Sequence, residues 1–263
     1  MHVTPSELRN LRQDGTVIKF ALLGSLAYVL VELPSTGSRG TSIEQPCTKP
    51  HWGFVLDGVV EFESDDVRRI LPVGSAFHVP PGGPAHRFLI KGAARIAGFQ
   101  PIDPVVDVSD AALAARGFEL TEGDGSVAAS IIPAAVAPLL DGPRIEATTW
   151  PMSTYVLTQA RFSQGSGYLN DWCDAPHWGL VTAGRLAIEW EDDIEIVSAG
   201  DIYHCPAGPP GHRLEAADPA AIIDLTPVDA LVSGTRLAPW RQAPQERSPA
   251  TEGRSKIAVA GLG

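Results

Sequence analysis

The chain has 263 residues, 44% of them hydrophobic, and a formal net charge of −11. That length allows one large domain or two of roughly 100 to 130 residues, and the apolar share excludes a globally disordered chain. The acidic balance, with no basic run to offset it, excludes a nucleic-acid partner, because phosphate binding needs clustered Lys and Arg.

Along the chain, the first stretch, MHVTPSELRNLRQDG, is polar and has no apolar h-region, so no signal peptide is expected. The apolar run Phe20–Leu33 is interrupted by Gly24, Ser25 and Glu32 and is too short to span a bilayer, so no membrane partner is expected. Three cysteines without a secretion signal imply reduced thiols and a cytoplasmic location. With 26 Gly and 23 Pro, turns and short strands are favoured over long helices. Gly53–Phe62 reads as two short strands joined at Gly58, and Glu63–Asp66 as an acidic turn. Arg69–Leu71 and Ala76–Val79 are further strands, the second stopped by Pro-Pro-Gly-Gly-Pro, and Arg87–Ile90 follows. Ser109–Arg116 is a short helix with Ser109 or Asp110 as its N-cap, and Ala134–Leu140 a second, closed by Asp141-Gly142. The strand pattern then resumes: Gly179–Trp190 broken at Gly184, an acidic turn at Glu191–Asp193, then Glu195–Val197, Ile202–Cys205 and Ala221–Leu225. Beyond about Pro239 the chain is polar and Pro-rich, a loosely packed extension.

The second run of strands repeats the first. Six of the seven histidines fall into pairs 126 residues apart, His51/His177, His78/His204 and His86/His212, and Cys47/Cys173 obey the same offset. Residues 47–103 align without gaps on 173–229 with 21 identities in 57 positions. A period this long implies a duplicated domain rather than a solenoid. The expected division is 1–130, 131–240 and a tail at 241–263. Cys47 and His51 are four residues apart and share one side of an extended strand. Trp52 and Trp178, next to the paired histidines, point the opposite way, as do Arg87 and Arg213, which are expected to pair with acidic turns. Asp103 and Asp229 are expected to cap or turn the chain. No P-loop, dinucleotide fingerprint or Ser-His-Asp arrangement is present.

The Gly74, Pro80, Gly82, His86 series and the Gly200, Pro206, Gly208, His212 series resemble the second motif of the cupin superfamily, with one extra residue before each histidine. The first motif is altered. His51 and His177 stand where the family has its glutamate, Cys47 and Cys173 replace its second histidine, and Gln45 and Asp171 replace its first. The resemblance implies an all-β chain of two tandem cupin (double-stranded β-helix, or jelly-roll) barrels with short connecting helices. It also implies ligands that point into each lumen: Cys47, His51 and His86 in one barrel, Cys173, His177 and His212 in the other. A thiolate with imidazoles is a zinc environment, with iron as the alternative metal. His78 and His204 are candidates for a fourth ligand or a general acid or base. A closed site would be structural, and an open three-ligand site would leave room for chemistry. Three functions follow. The first is a metal-dependent enzyme acting on a small organic molecule by non-redox isomerase, cyclase or lyase chemistry. The second is an iron-dependent dioxygenase. The third is a non-catalytic binding or structural module. Cupins often dimerise, so a homodimer is also expected.

Overall fold

Val, Ile and aromatic residues recur through most of the chain, and in the computed structural model these runs are strands. The structure describes residues 2–13, 16–33, 49–64, 67–90, 92–102, 109–115, 119–121, 144–233 and 258–259. The chain divides into two compact units, Ser6–Gly125, and Met1–Pro5 with Ser126–Gly263. In order, the first part of the chain carries β1 (His2–Val3), β2 (Arg9–Gln13), β3 (Thr16–Leu23), β4 (Leu26–Leu33), β5 (His51–Asp57) and β6 (Val59–Ser64). It continues with β7 (Val67–Pro72), β8 (Ala76–Val79), β9 (His86–Ile90), β10 (Ala94–Pro101), α1 (Asp110–Ala115) and β11 (Glu119–Thr121). The second part carries β12 (Arg144–Met152), β13 (Tyr155–Phe162), β14 (Gly167–Cys173), β15 (His177–Ala183) and β16 (Arg185–Glu189). It ends with β17 (Ile194–Ser198), β18 (Ile202–Cys205), β19 (His212–Ala216), β20 (Ala220–Pro227), α2 (Val228–Ser233) and β21 (Ala258–Val259).

In the first unit, a seven-stranded sheet ordered β11-β2-β3-β4-β10-β5-β8 and a three-stranded sheet ordered β7-β6-β9 share one core. Leu33, Val55 and Ile96 come from the larger sheet and Val60 from the smaller, with Phe77 and Phe88 packed against them. In the second unit the sheets are β1-β18-β15-β20-β13-β12-β21 and β14-β19-β16-β17. Phe162, Val181 and Ile222 meet Leu186, Ile188 and Leu214 in its core. Each fully buried Leu or Ile there contributes about 1.5–3 kcal/mol. The short β1 belongs to this second unit, because His2 and Val3 pair with Tyr203 and Ile202.

The sequence expectations meet the strands closely. β5, β6, β8, β9 and β10 begin at 51, 59, 76, 86 and 94, and β15, β16, β18, β19 and β20 begin at 177, 185, 202, 212 and 220, each 126 later. Gly58 and Gly184 join the expected strand pairs with φ of +73° and +68°. A Cβ at Gly58 would sit 2.2 Å from the Ala93 carbonyl oxygen, so no other residue fits without moving the chain. Ser109 caps α1 by accepting from the Ala112 N–H at 3.3 Å. Asp229 turns the chain into α2, its Oδ1 accepting from the Ala230 N–H. The helix expected at Ala134–Leu140 and Asp103 lie outside the described residues. So does the tail, apart from Ala258–Val259, which run parallel to Arg144–Ile145. Among the described residues, no helix is long and apolar enough to cross a membrane.

Candidate metal centre

The site in the second unit is built from three strand ends. His177 opens β15, Cys173 closes β14 and His212 opens β19, where Cys173 is its antiparallel partner. Side chains alternate along a strand, so His177 shares the inward face of β15 with Val181, a core residue. Ligand atoms of Cys173, His177 and His212 all lie within 4.8 Å of one another. Cys173 Sγ is 3.3 Å from His177 Nε2, and the two imidazole rings stand 5.0 Å apart, nearly perpendicular. A sulfur and a nitrogen on one tetrahedral zinc are separated by roughly 3.5 Å, so this donor set fits such an ion with small movements.

A second layer lies behind His177. Its Nδ1 is 2.9 Å from Asp224 Oδ1 and 2.8 Å from Thr226 Oγ1. The Thr226 hydroxyl donates to the same Asp224 oxygen at 2.8 Å. The Tyr203 hydroxyl donates to Asp224 Oδ2 at 2.8 Å. All three supporting side chains are buried. Tyr203 lies flat against Gly179, where any Cβ would fall 2.0 Å from the ring. Burial alone would lower the proton affinity of His177. The Asp224 charge and hydrogen bond, reinforced by Cys173, overcome it and push the pKa from 6.5 up to about 10. Reciprocally, burial would raise the Asp224 pKa, and His177 holds it below the usual carboxylate value. With Nδ1 committed to the carboxylate, Nε2 is the atom presented to Cys173.

Thiol, imidazole and carboxylate in this order also have the connectivity of a nucleophile, its base and an orienting acid. The third donor, His212, is what such a triad does not need and a metal does.

In the first unit the same strand ends place His51 and His86 together, with rings 5.2 Å apart and nearly perpendicular. His86 is buried and stacks on Phe62 at 5.6 Å. Its Nδ1 meets the Pro84 carbonyl oxygen at 3.3 Å, while Nε2 has no hydrogen-bond partner among the described residues. An orphaned buried imidazole nitrogen marks a place for a water, an ion or a ligand. Burial, then His86, then Lys49, lowers the His51 pKa from 6.5 to about 4. Cys47 and Gln45 lie outside the described residues, as does the side chain of Asp171.

His78 and His204 are not brought to these clusters. Antiparallel pairing sets Trp52 against His78 and Trp178 against His204, so each histidine shares the tryptophan's face and not that of His51 or His177. The rings stack at 5.6 and 5.2 Å. The tryptophans themselves point away from the lumen histidines, as the alternation requires. Arg87 pairs with Glu63 at 2.7 Å, whereas Arg213 lies over the Trp172 ring at 4.0 Å.

Sequence reasoning missed Asp224, Tyr203 and Thr226. The signal was an acid in the middle of the otherwise apolar strand AAIIDLTP, aligned on Gly98 in the first copy. Cys205 pairs in register with His177 and is fully buried, its thiol pKa raised by that burial.

The fold has many solved counterparts. A structure of oxalate decarboxylase from Bacillus subtilis at pH 4.6 superposes with a TM-score of 0.61 at 14% identity, covering 86% of this chain and 76% of that one. AerE from Microcystis aeruginosa superposes with a TM-score of 0.56 at 12% identity, covering 84% and 98%. A further oxalate decarboxylase structure, from work on the Mn(II) centres of the Bacillus subtilis enzyme, superposes with a TM-score of 0.60 at 14% identity, covering 86% and 77%. The fold is an all-β, tandem cupin fold. No family model matches the sequence, and no curated protein matches it with significance. At these identities the likeness shows the cupin fold and nothing of the activity, and on that fold the Cys173, His177, His212 cluster is a candidate metal site.

Proposed function

We propose that this cupin is a metal-dependent enzyme whose working site is Cys173, His177 and His212. It acts on a small organic molecule by non-redox chemistry of the isomerase, cyclase or lyase kind. The observation that carries the reading is the convergence of one thiol and two imidazoles within 4.8 Å. A thiolate with imidazoles favours zinc over the harder ions that prefer carboxylate and water. Three protein ligands leave one tetrahedral position for water or substrate, and a bound zinc would act there as a Lewis acid. The chain's own contribution is to orient His177 through Asp224 and to keep the surroundings of His212 apolar through Trp190, 5.5 Å away. His51 and His86, with Cys47, form the corresponding site of the first barrel in this reading.

The 126-residue offset is read as an internal duplication, supported by the matching strand starts. A thiol ligand needs a reducing compartment, which supports a cytoplasmic location. The second reading is an iron-dependent dioxygenase, in which the same histidines would hold iron.

Elemental analysis of protein purified without added metal tests the proposal. Stoichiometric zinc that protects Cys173 from alkylation, and disappears in His177→Ala, is the expected result. Iron with oxygen uptake would replace this reading with the second. Metal-free protein whose Cys173 is alkylated at the same rate with or without added zinc would overturn metal binding.

A further inference from the structure

We propose that Asp224, clamped by Tyr203 and Thr226, is a positioning residue that makes the C-terminal cluster the tight metal site of the chain and leaves the N-terminal cluster the weaker one. The inference rests on the reading that Cys173, His177 and His212 hold the metal. Its basis is a difference between otherwise matching barrels. Both Asp224 oxygens are engaged, Oδ2 by the Tyr203 hydroxyl and Oδ1 by Thr226 and His177. The carboxylate therefore cannot rotate away, and the imidazole ring is fixed through its Nδ1. A ligand whose ring is already fixed loses less freedom on coordination, and an acceptor on the far nitrogen strengthens the near one as a donor.

The first barrel lacks every part of this device. The positions 126 residues earlier hold Gly98, Phe77 and Gln100. Phe77 occupies the Tyr203 place against Gly53, in the same cross-strand pairing, but brings no hydroxyl. Gly98 pairs with Gly53 as Asp224 pairs with Gly179, so the carboxylate is missing from an equivalent backbone position. Its lumen is packed instead by Phe62 and Phe88 around His86.

The test is chelator competition with zinc, and with cobalt(II) followed by its thiolate charge-transfer absorption, on the full chain. Asp224→Ala is expected to weaken metal affinity ten- to a hundredfold. Asp224→Asn, which keeps an acceptor, restores part of that loss, and Tyr203→Phe weakens affinity a few-fold. His51→Ala with His86→Ala removes no tight zinc. Thermal unfolding of each metal-free variant separates lost affinity from lost fold. If Asp224→Ala does not fold, Asp224→Asn and Tyr203→Phe decide alone. Wild-type affinity in those variants, or loss of the tight zinc in the His51/His86 double variant, overturns the proposal. Wild-type protein that binds no metal defeats the underlying reading instead.

Discussion

The two barrels carry the same histidines on the same strand ends and treat them oppositely. His177 is pushed up to about 10 and His51 down to about 4 from one starting value of 6.5. Burial opposes protonation in both. The carboxylate of Asp224, where the other barrel has Gly98, and the Cys173 contact raise His177, whereas His86 and Lys49 add to the burial that lowers His51. Repeated ligand residues thus do not make identical surroundings. The groups one layer behind them decide what a histidine holds, a proton, a metal or neither.

The sharpest way to break this comparison is to remove a proposed ligand from one barrel at a time. Cys173→Ala or His177→Ala is expected to abolish the tight site, weakening zinc by more than the ~100-fold ceiling of second-layer changes. Isothermal titration would show one tight site lost. If the loss instead follows His51→Ala, the assignment of the working barrel is reversed.

The pH dependence of stability in metal-free protein comes next, and its sign differs between the barrels. His51 has a folded pKa of about 4 against 6.5 in the unfolded chain. The unfolded state therefore binds more protons in between, and stability present above pH 6.5 is lost as pH falls toward 4. The loss amounts to no more than ~3 kcal/mol. His177 has its folded pKa raised to about 10, so its contribution is complete below pH 6.5 and is lost as pH rises through 10. Urea unfolding across this range should show both limbs. His51→Gln should flatten the acidic limb alone, and Asp224→Asn should remove the alkaline limb and deepen the acidic one, because burial then lowers the His177 pKa. An alkaline limb unchanged in Asp224→Asn would mean that Asp224 does not hold the His177 proton.

Grafting the support is a constructive version of the same test. Gly98→Asp with Phe77→Tyr and Gln100→Thr should raise the His51 pKa above 6.5 by NMR titration. The graft costs stability, because a Cβ at Gly98 lies 3.1 Å from the Trp52 carbonyl oxygen and β5 must yield slightly. A His51 pKa still near 4 would show that the carboxylate is not the deciding difference.

The smallest effect is expected from His78→Ala and His204→Ala. Each removes a ring stacked on a tryptophan, worth about 1 kcal/mol, and neither should change zinc affinity by more than about twofold. A large loss of affinity would return these histidines to the site.

The sequence by itself determined the strand pattern, its 126-residue recurrence and the residues that converge at Cys173, His177 and His212. Strand alternation and glycine turns are local constraints, written in residue type and spacing. Alternation also sent Trp52 and Trp178 away from the lumen. It could have sent His78 and His204 with them, but that required knowing that residue 78 pairs with 52 and 204 with 178, a register between strands 26 residues apart. Only the tertiary structure decided that Asp224, 47 residues beyond His177, lies behind its ring, with Tyr203 and Thr226 holding it there. Hydrogen bonds between strands leave no trace in periodicity. What a buried acid contributes depends on which side chain faces it across the sheet.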